Sequence, residues 1–304
     1  MIKKWRLIIV MKILVFGSLN IDHNYKMEHI VLEKETIFAN KYFVVAGGKG
    51  LNAAIALSKS GSHVYLAGNI GNDAEVLQQT LDKYQVDTTY LNHIDQPNGH
   101  AIIQVDQKGE NAIFIYGGSN QAITTEYIDE VLSHFQPNDL IVLQNEINNQ
   151  HYLITQAKKH GLTILLNPSP FNQTVLTYPL DLVDYIFINE VEGHGFTSES
   201  EPERILDKLK EMYPNTKVVL TLGSKGAYYQ DNANRIFSPA YKVKAIDTVG
   251  AGDTFMGYFC YGLANNLPIE ETLKIASQAA SITCTKQGAA DSIPTLQQVK
   301  EIYR

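Results

Sequence analysis

Six short, unbroken apolar runs constrain this chain more than anything else in it: residues 13–16 (ILVF), 64–67 (VYLA), 140–143 (LIVL), 163–166 (TILL), 185–188 (YIFI) and 218–222 (VVLTL). Segments of helical period separate them. Runs of this kind are how strands covered on both faces look, and strands covered on both faces occur in parallel sheets with helices on either side. The expected fold is therefore α/β, a doubly wound, mostly parallel sheet flanked by helices. With 304 residues and 44% hydrophobic content the chain can bury one large core, so a single domain over 11–304 is expected. Two stretches break the rhythm. Residues 23–45 and 99–116 alternate apolar with polar positions, the second with a turn at Lys108 and Gly109, and predict a small accessory β-layer.

Charge and composition narrow the partners. A formal net charge of -7 and a pI near 5.7 leave no broad basic footprint for nucleic acid, which points to small molecules. Cys260 and Cys284 lie in apolar runs without paired spacing or a histidine cluster and are expected to be core residues rather than a disulfide or zinc site. The opening "MIKKWRLIIVMKILVFG" has a basic start and an apolar stretch, but Lys12 interrupts it, no small-residue cleavage site follows, and it falls short of the ~20 residues of a membrane span. A cytoplasmic protein with no membrane partner is expected, with residues 1–10 an extension ahead of Met11.

Ligands of such sheets collect at the carboxyl ends of the strands, and two glycine clusters fall at positions of that kind. In "AIDTVGAGDTFMGYFCYGLA", residues 245–264, "KVKAID" (242–247) reads as a strand, "TVGAGD" as a turn and the segment from Thr254 as a helix. Gly250 and Gly252 permit a tight turn that aims successive N–H groups from a helix N-terminus, an anion hole. Asp253 at its lip reads either as an N-cap or as a base that deprotonates a nucleophile. In "VVAGGKGLNAAIALSKSG", residues 44–61, Lys49 and Asn52 open an Ala-rich helix. This is not a Walker A loop, because no Ser or Thr follows Gly-Lys. It is either a tight turn or a holder of a polyhydroxylated ligand. Asn20 and Asp22 in "GSLNID" are two apart, so on an extended segment they face one way and suit vicinal hydroxyls; a solvated loop is the other reading.

Gly47-Gly48-Lys49-Gly50 with Asn52, and Asp247-Thr248-Val249-Gly250-Ala251-Gly252-Asp253, together resemble the pair of signatures of the ribokinase family of ATP-dependent sugar kinases. The intervening "NPSP" (167–170), "INEVEG" (188–193), "TLGSKGA" (221–227) and "KQGAADSIP" (286–294) match as well, so the resemblance covers the chain from Met11 onward. "GSLNID" with "GGKGLN" is most similar to the ribose-phosphorylating branch. The resemblance implies that Asp253 is the general base. It implies that the N–H groups of Gly250, Ala251, Gly252 and Asp253 stabilise the transferring phosphoryl group. Asn20, Asp22, Gly47, Gly48, Lys49, Asn52 and Glu146, with Asp253, would hold the sugar. Asn189, Thr221, Gly223, Ser224, Gly226 and Gly252 would line the ATP site, and Asn189 and Glu192 would organise Mg²⁺ through water. Asp247, Val249, Thr283, Gly288 and Ser292 would hold K⁺, although Asp247 reads equally as a turn residue.

Two departures stand out. "HIVLEKETIFAN" (29–40) lacks the Pro-Gly that commonly precedes Glu-Thr in the family's lid. Asn145 precedes Glu146 where an apolar residue is more usual, and is expected to add a polar group near the sugar. Three readings follow from the resemblance: phosphorylation of the 5-hydroxyl of ribose, the same chemistry on another sugar such as fructose or on a nucleoside, or a sugar-binding relative without catalysis. Retention of Asp253 and both anion-hole glycines counts against the last. The alternating segments form a layer too small to stand alone, and the expectation is a homodimer joined through this β lid.

Overall fold

A computed structural model describes residues 11–303; the expected extension at 1–10 lies outside the described residues. From the amino side the chain forms β1 (Ile13–Phe16), β2 (Asn20–Lys26), β3 (Lys41–Gly47), α1 (Lys49–Lys59), β4 (Val64–Ile70), α2 (Glu75–Lys83) and β5 (Asp87–His93). The hairpin β6 (Gly99–Val105) and β7 (Asn111–Tyr116) follows, then α3 (Thr125–Leu132), β8 (Leu140–Gln144), α4 (Gln150–Lys159), β9 (Thr163–Asn167), β10 (Tyr185–Asn189), α5 (Glu190–Thr197) and α6 (Pro202–Met212). The chain ends with β11 (Lys217–Thr221), β12 (Gly226–Gln230), β13 (Arg235–Pro239), α7 (Ala251–Ala264), α8 (Ile269–Thr283) and α9 (Leu296–Ile302).

Among the described residues nine strands make one sheet in the order β13-β12-β11-β10-β9-β8-β1-β4-β5, parallel except near one edge, where β12 pairs antiparallel with both β11 and β13. Strand β1 shows why it is doubly wound. Ile13 and Val15 enter one core with Leu51 and Ile55 of α1 and Met256 and Phe259 of α7, while Leu14 and Phe16 enter the other with Ile128 of α3, Leu153 of α4 and Leu206 of α6. All six predicted strands are present, most of them a residue or more longer. Cys260 is buried and Cys284 half-buried, and both are free. No helix of the described residues is long and apolar enough to cross a membrane.

Three expectations fail locally. Residues 242–247 are not a strand: their backbone hydrogen bonds run to the loop after α8, Ile246 N–H to the Cys284 carbonyl at 2.8 Å, so no sheet edge is available to them. Helix α7 begins at Ala251, three residues earlier than predicted, because Gly250 sits in the left-handed region at φ 77° and makes the break itself. Strands β5, β12 and β13 went unpredicted.

Among the described residues the second sheet has four strands in the order β3-β2-β6-β7. The turn falls at the predicted place, with Gly109 at φ 86°, and the Asp106 carboxylate accepts from the N–H of Lys108 at 2.8 Å and of Glu110 at 2.9 Å. The layer reaches further than 23–45 implies, since it starts at Asn20 and closes at Gly47. Strands β2 and β6 pair in parallel, so neither segment makes this sheet without the other.

Candidate active site

Asp253 is the third residue of α7 and is 6% exposed. The cap position belongs to Gly250, which has no side chain to cap with, so the N-cap reading of Asp253 fails. One of its carboxylate oxygens, Oδ2, instead accepts a hydrogen bond from Asn52 Nδ2 of α1 at 3.1 Å, across 201 residues of sequence. That contact joins the two glycine clusters into one site. Around it the Ala251 N–H turns back to the Thr248 carbonyl at 3.2 Å, and the next bonded amide is Thr254, donating to the Gly250 carbonyl at 2.8 Å. Among the described residues the Gly250, Gly252 and Asp253 amides have no protein acceptor, so an anion hole here would rest on those three rather than on Ala251.

A cleft of about 220 Å³ is lined by Lys49, Asn167, Ser169, Asn189, Glu192, Thr221, Thr248, Gly250, Gly252 and Asp253. It gathers residues from the ends of β9, β10 and β11 with the starts of α1, α5 and α7, at the carboxyl edge of the sheet. A larger cavity of about 350 Å³ between β13 and α8, lined by Ile236, Tyr241 and Leu273 among others, contains none of this chemistry. Burial works against the charge of Lys49, but the carboxylates of Asp253, Glu146 and Glu192 outweigh it and hold the ammonium above its usual pKa. Lys49 is thus the cation around which three acidic groups are arranged.

The remaining sugar candidates adjoin Lys49. Its N–H donates to Glu146 Oε2 at 2.9 Å, and the same oxygen accepts a hydrogen bond from the Ser18 hydroxyl. Asn20 and Asp22 share one face of β2, as their spacing predicts. Burial first, then the neighbouring Glu146 charge, raises the Asp22 pKa from 3.8 to about 7. Gly47 is required beside it, because a Cβ there would lie 2.0 Å from Asp22 Oδ2. Gly48, at φ 97°, packs on the Ser18 carbonyl. Asn52 Oδ1 is buried without a partner, free for a ligand hydroxyl.

Asn189 caps α5, accepting from the Glu192 N–H at 2.9 Å while Glu192 Oε2 accepts from the Asn189 N–H at 3.0 Å. Thr221 lines the cleft; Gly223, Ser224 and Gly226 form the turn just beyond it. Gly226 has a packing reason to be glycine, since a Cβ would meet the Ser238 carbonyl at 2.2 Å. Behind the anion hole, Asp247 accepts from the N–H of Val249 at 3.0 Å and of Gly288 at 2.9 Å, fastening that loop to residues 284–292. Thr283, also buried, meets Thr254 there by a hydroxyl contact of 3.0 Å, and Ser292 is buried in the same loop.

Sequence reasoning missed Ser18, Asn120 and Thr248. Asn120 donates to Asn20 Oδ1 at 2.8 Å from 100 residues away, a contact with no local signal. Asn167 and Ser169 carry a signal in "NPSP". Asn145, expected to add a polar group beside the sugar candidates, has its side chain engaged by the Pro170 carbonyl at 2.7 Å and the Tyr178 hydroxyl at 2.6 Å.

The profile of the pfkB family carbohydrate kinases matches residues 10–296. Ribokinase of Lactococcus lactis is 33% identical over 294 residues, 95% of this chain and 96% of the relative. Deoxyribokinase of Salmonella typhimurium is 30% identical over 303 residues, 96% of this chain and 98% of the relative. The structure of Arabidopsis thaliana ribokinase complexed with ribose and ATP superimposes with a TM-score of 0.87 at 27% identity, covering 97% of this chain and 99% of that one. Fold, site and sequence therefore agree that the chain belongs to the pfkB family of carbohydrate kinases, as an ATP-dependent sugar kinase.

Proposed function

We propose that the enzyme transfers the γ-phosphoryl group of ATP to the 5-hydroxyl of D-ribose. The observation that supports this reading is the Asn52–Asp253 hydrogen bond, which links the carboxylate we assign as the base to the first glycine cluster. Asp253 Oδ1 or Oδ2 takes the hydroxyl proton as the oxygen attacks. The Gly252 and Asp253 amides and the Lys49 ammonium meet the charge on the moving phosphoryl group, and such positioning and electrostatics supply most of the catalysis of phosphoryl transfer. Asp22, ionised, accepts two ring hydroxyls; Asn20, Asn52 and Glu146, with the backbone of Gly47 and Gly48, set the ring's orientation.

Mg²⁺ fits the residues present. Glu192 borders the cleft, keeps lone pairs beyond those used by Asn189 and Ser169, and with Asn189 can hold the waters of an ion bound mainly by phosphates. No cluster of three or more His, Cys, Asp or Glu ligands occurs among the described residues, which suits that mode. The ion would neutralise phosphate charge. K⁺ fits the oxygen-rich loop of Asp247, Val249, Thr283, Gly288 and Ser292, where Asp247 supplies the negative charge and carbonyls the ligands; it would stiffen the anion hole. ATP dependence and two free cysteines suit a cytoplasmic enzyme.

The lid supports a homodimer. Asp22 pairs with Val45 and Ala101, and Ala101 with Ile115, so these share the sugar-facing side, where Val45, Ile113 and Ile115 are 42%, 53% and 50% exposed. A second copy would cover them. Light scattering at assay concentration checks this, and a fully active monomer would refute it. The similarity to a deoxyribokinase favours 2-deoxyribose as the second reading. ADP release over ribose, 2-deoxyribose, fructose and nucleosides, in K⁺ and in Na⁺, tests both: ribose is expected to give the highest kcat/KM, with K⁺ faster than Na⁺. A better deoxyribose or nucleoside substrate would overturn the assignment.

A further inference from the structure

We infer that Asn145 is a positioning residue that couples occupancy of the sugar half of the site to affinity in the nucleotide half. The inference rests on the assignment of Glu146 to the sugar and Glu192 to the nucleotide. Asn145 touches neither ligand cluster itself. Its N–H donates to the Ser169 carbonyl at 3.0 Å, its Nδ2 donates to the Pro170 carbonyl at 2.7 Å, and its Oδ1 accepts from the Tyr178 hydroxyl at 2.6 Å. Three bonds therefore pin the loop after β8 to the loop after β9.

Each pinned loop carries a ligand-side carboxylate contact. In the first, Glu146 follows Asn145 directly and holds the N-terminus of α1 through the Lys49 N–H at 2.9 Å. In the second, the Ser169 hydroxyl donates to Glu192 Oε1, whose other oxygen completes the cap of α5. The path from α1 to α5 is thus Lys49, Glu146, Asn145, Ser169 and Glu192, hydrogen-bonded or covalently adjacent at every step. Two carboxylates whose charges act on one ammonium, Lys49, are joined by this bridge. A sugar that draws Glu146 toward its hydroxyls moves the Ser169 side too, and so biases the Glu192 geometry that receives the nucleotide. The backbone step from Asn145 to Ser169 is held in register by the two side-chain bonds to Pro170 and Tyr178, so an apolar residue at 145 keeps the step but removes both bonds that align it.

The test is the coupling factor, the ratio of ADP dissociation constants measured by calorimetry with Mg²⁺ present, without and with saturating sugar. The sugar is the best substrate of the wild-type panel, so a wrong acceptor assignment shows there as absent ribose turnover and leaves the coupling measurement decisive. Wild type is expected to bind ADP about fivefold or more tightly with sugar bound. Asn145→Leu is expected to bring the factor toward one while changing ADP affinity without sugar by less than about twofold, a pattern that general loss of stability would not produce. Should Asn145→Leu fail to fold, Tyr178→Phe, which deletes one hydroxyl, is expected to lower the factor in the same direction by a smaller amount. Wild-type coupling in both variants, or no coupling in wild type, would overturn the inference.

Discussion

Strands β9 and β7 are built from similar residues and end in opposite surroundings. Ile164, Leu165 and Leu166 of β9 are fully covered, whereas Ile113, Phe114, Ile115 and Tyr116 of β7 are each about half exposed. Burial on two faces makes the central sheet a rigid frame whose loops hold Asp253, Glu192 and Glu146 in register. The small sheet buries little, and the apolar side chains of β7 stand about half exposed on it. β-Propensity is shared by the two; the neighbours decide which strand becomes scaffold and which becomes cover.

The comparison breaks first, if it breaks, at the frame's catalytic end. Asp253→Asn preserves shape and leaves the α7 cap at Gly250, so thermal stability should hold within about 1 kcal/mol while kcat falls by roughly 10² to 10⁴. Stopped-time assays with parallel melting curves check it, and near-normal turnover would remove Asp253 from the mechanism. Next comes the frame's packing against the lid's. Leu166→Ala should cost about 2 to 5 kcal/mol of unfolding free energy, and Ile115→Ala less than about 0.5 in the isolated subunit, its effect appearing in self-association instead. Equal costs by denaturant titration would erase the distinction between the two regions.

The smallest effect is one of pH. Because burial raises Asp22 to about 7 from 3.8, the folded, ligand-free protein keeps a proton that the unfolded chain has released between about pH 4 and 7. Its stability should therefore fall as pH rises through that window, and Asp22→Asn should flatten that part of the curve. Sugar affinity should move the other way, strengthening as Asp22 ionises. A wild-type and mutant pair with parallel stability curves would contradict the desolvated environment beside Glu146 assigned to this carboxylate.

What the sequence made legible follows the same division. The six frame strands were readable because cover on both faces leaves an unbroken apolar run. β5, β12 and β13 were not: β5 and β13 lie at the sheet's edges and are only partly buried, and β12, though mostly covered, is the short segment GAYYQ with no aliphatic run. In the site, both glycine clusters were visible as local turns into helices, and the Asn20–Asp22 spacing as one face of a strand. The cap assignment for Asp253 stayed open because Gly250, by taking the left-handed break, moves the helix start by three residues. Asn120 and Ser18 were invisible, since their roles arise only when distant segments meet.

The parallel pairing of β2 with β6 bears on how this enzyme could be re-engineered or could diverge. The lid is assembled from two excursions of the chain, one between β1 and α1 and the other between β5 and α3, and the seam between them is the β2–β6 ladder. Grafting one excursion from a relative would leave a ladder whose halves were shaped for different partners, with Asp22 on one side of the seam and Ala101 on the other. Segment exchange in the lid therefore has to be made as a matched pair, while the central sheet and α7, which carries Asp253, can be left as they are.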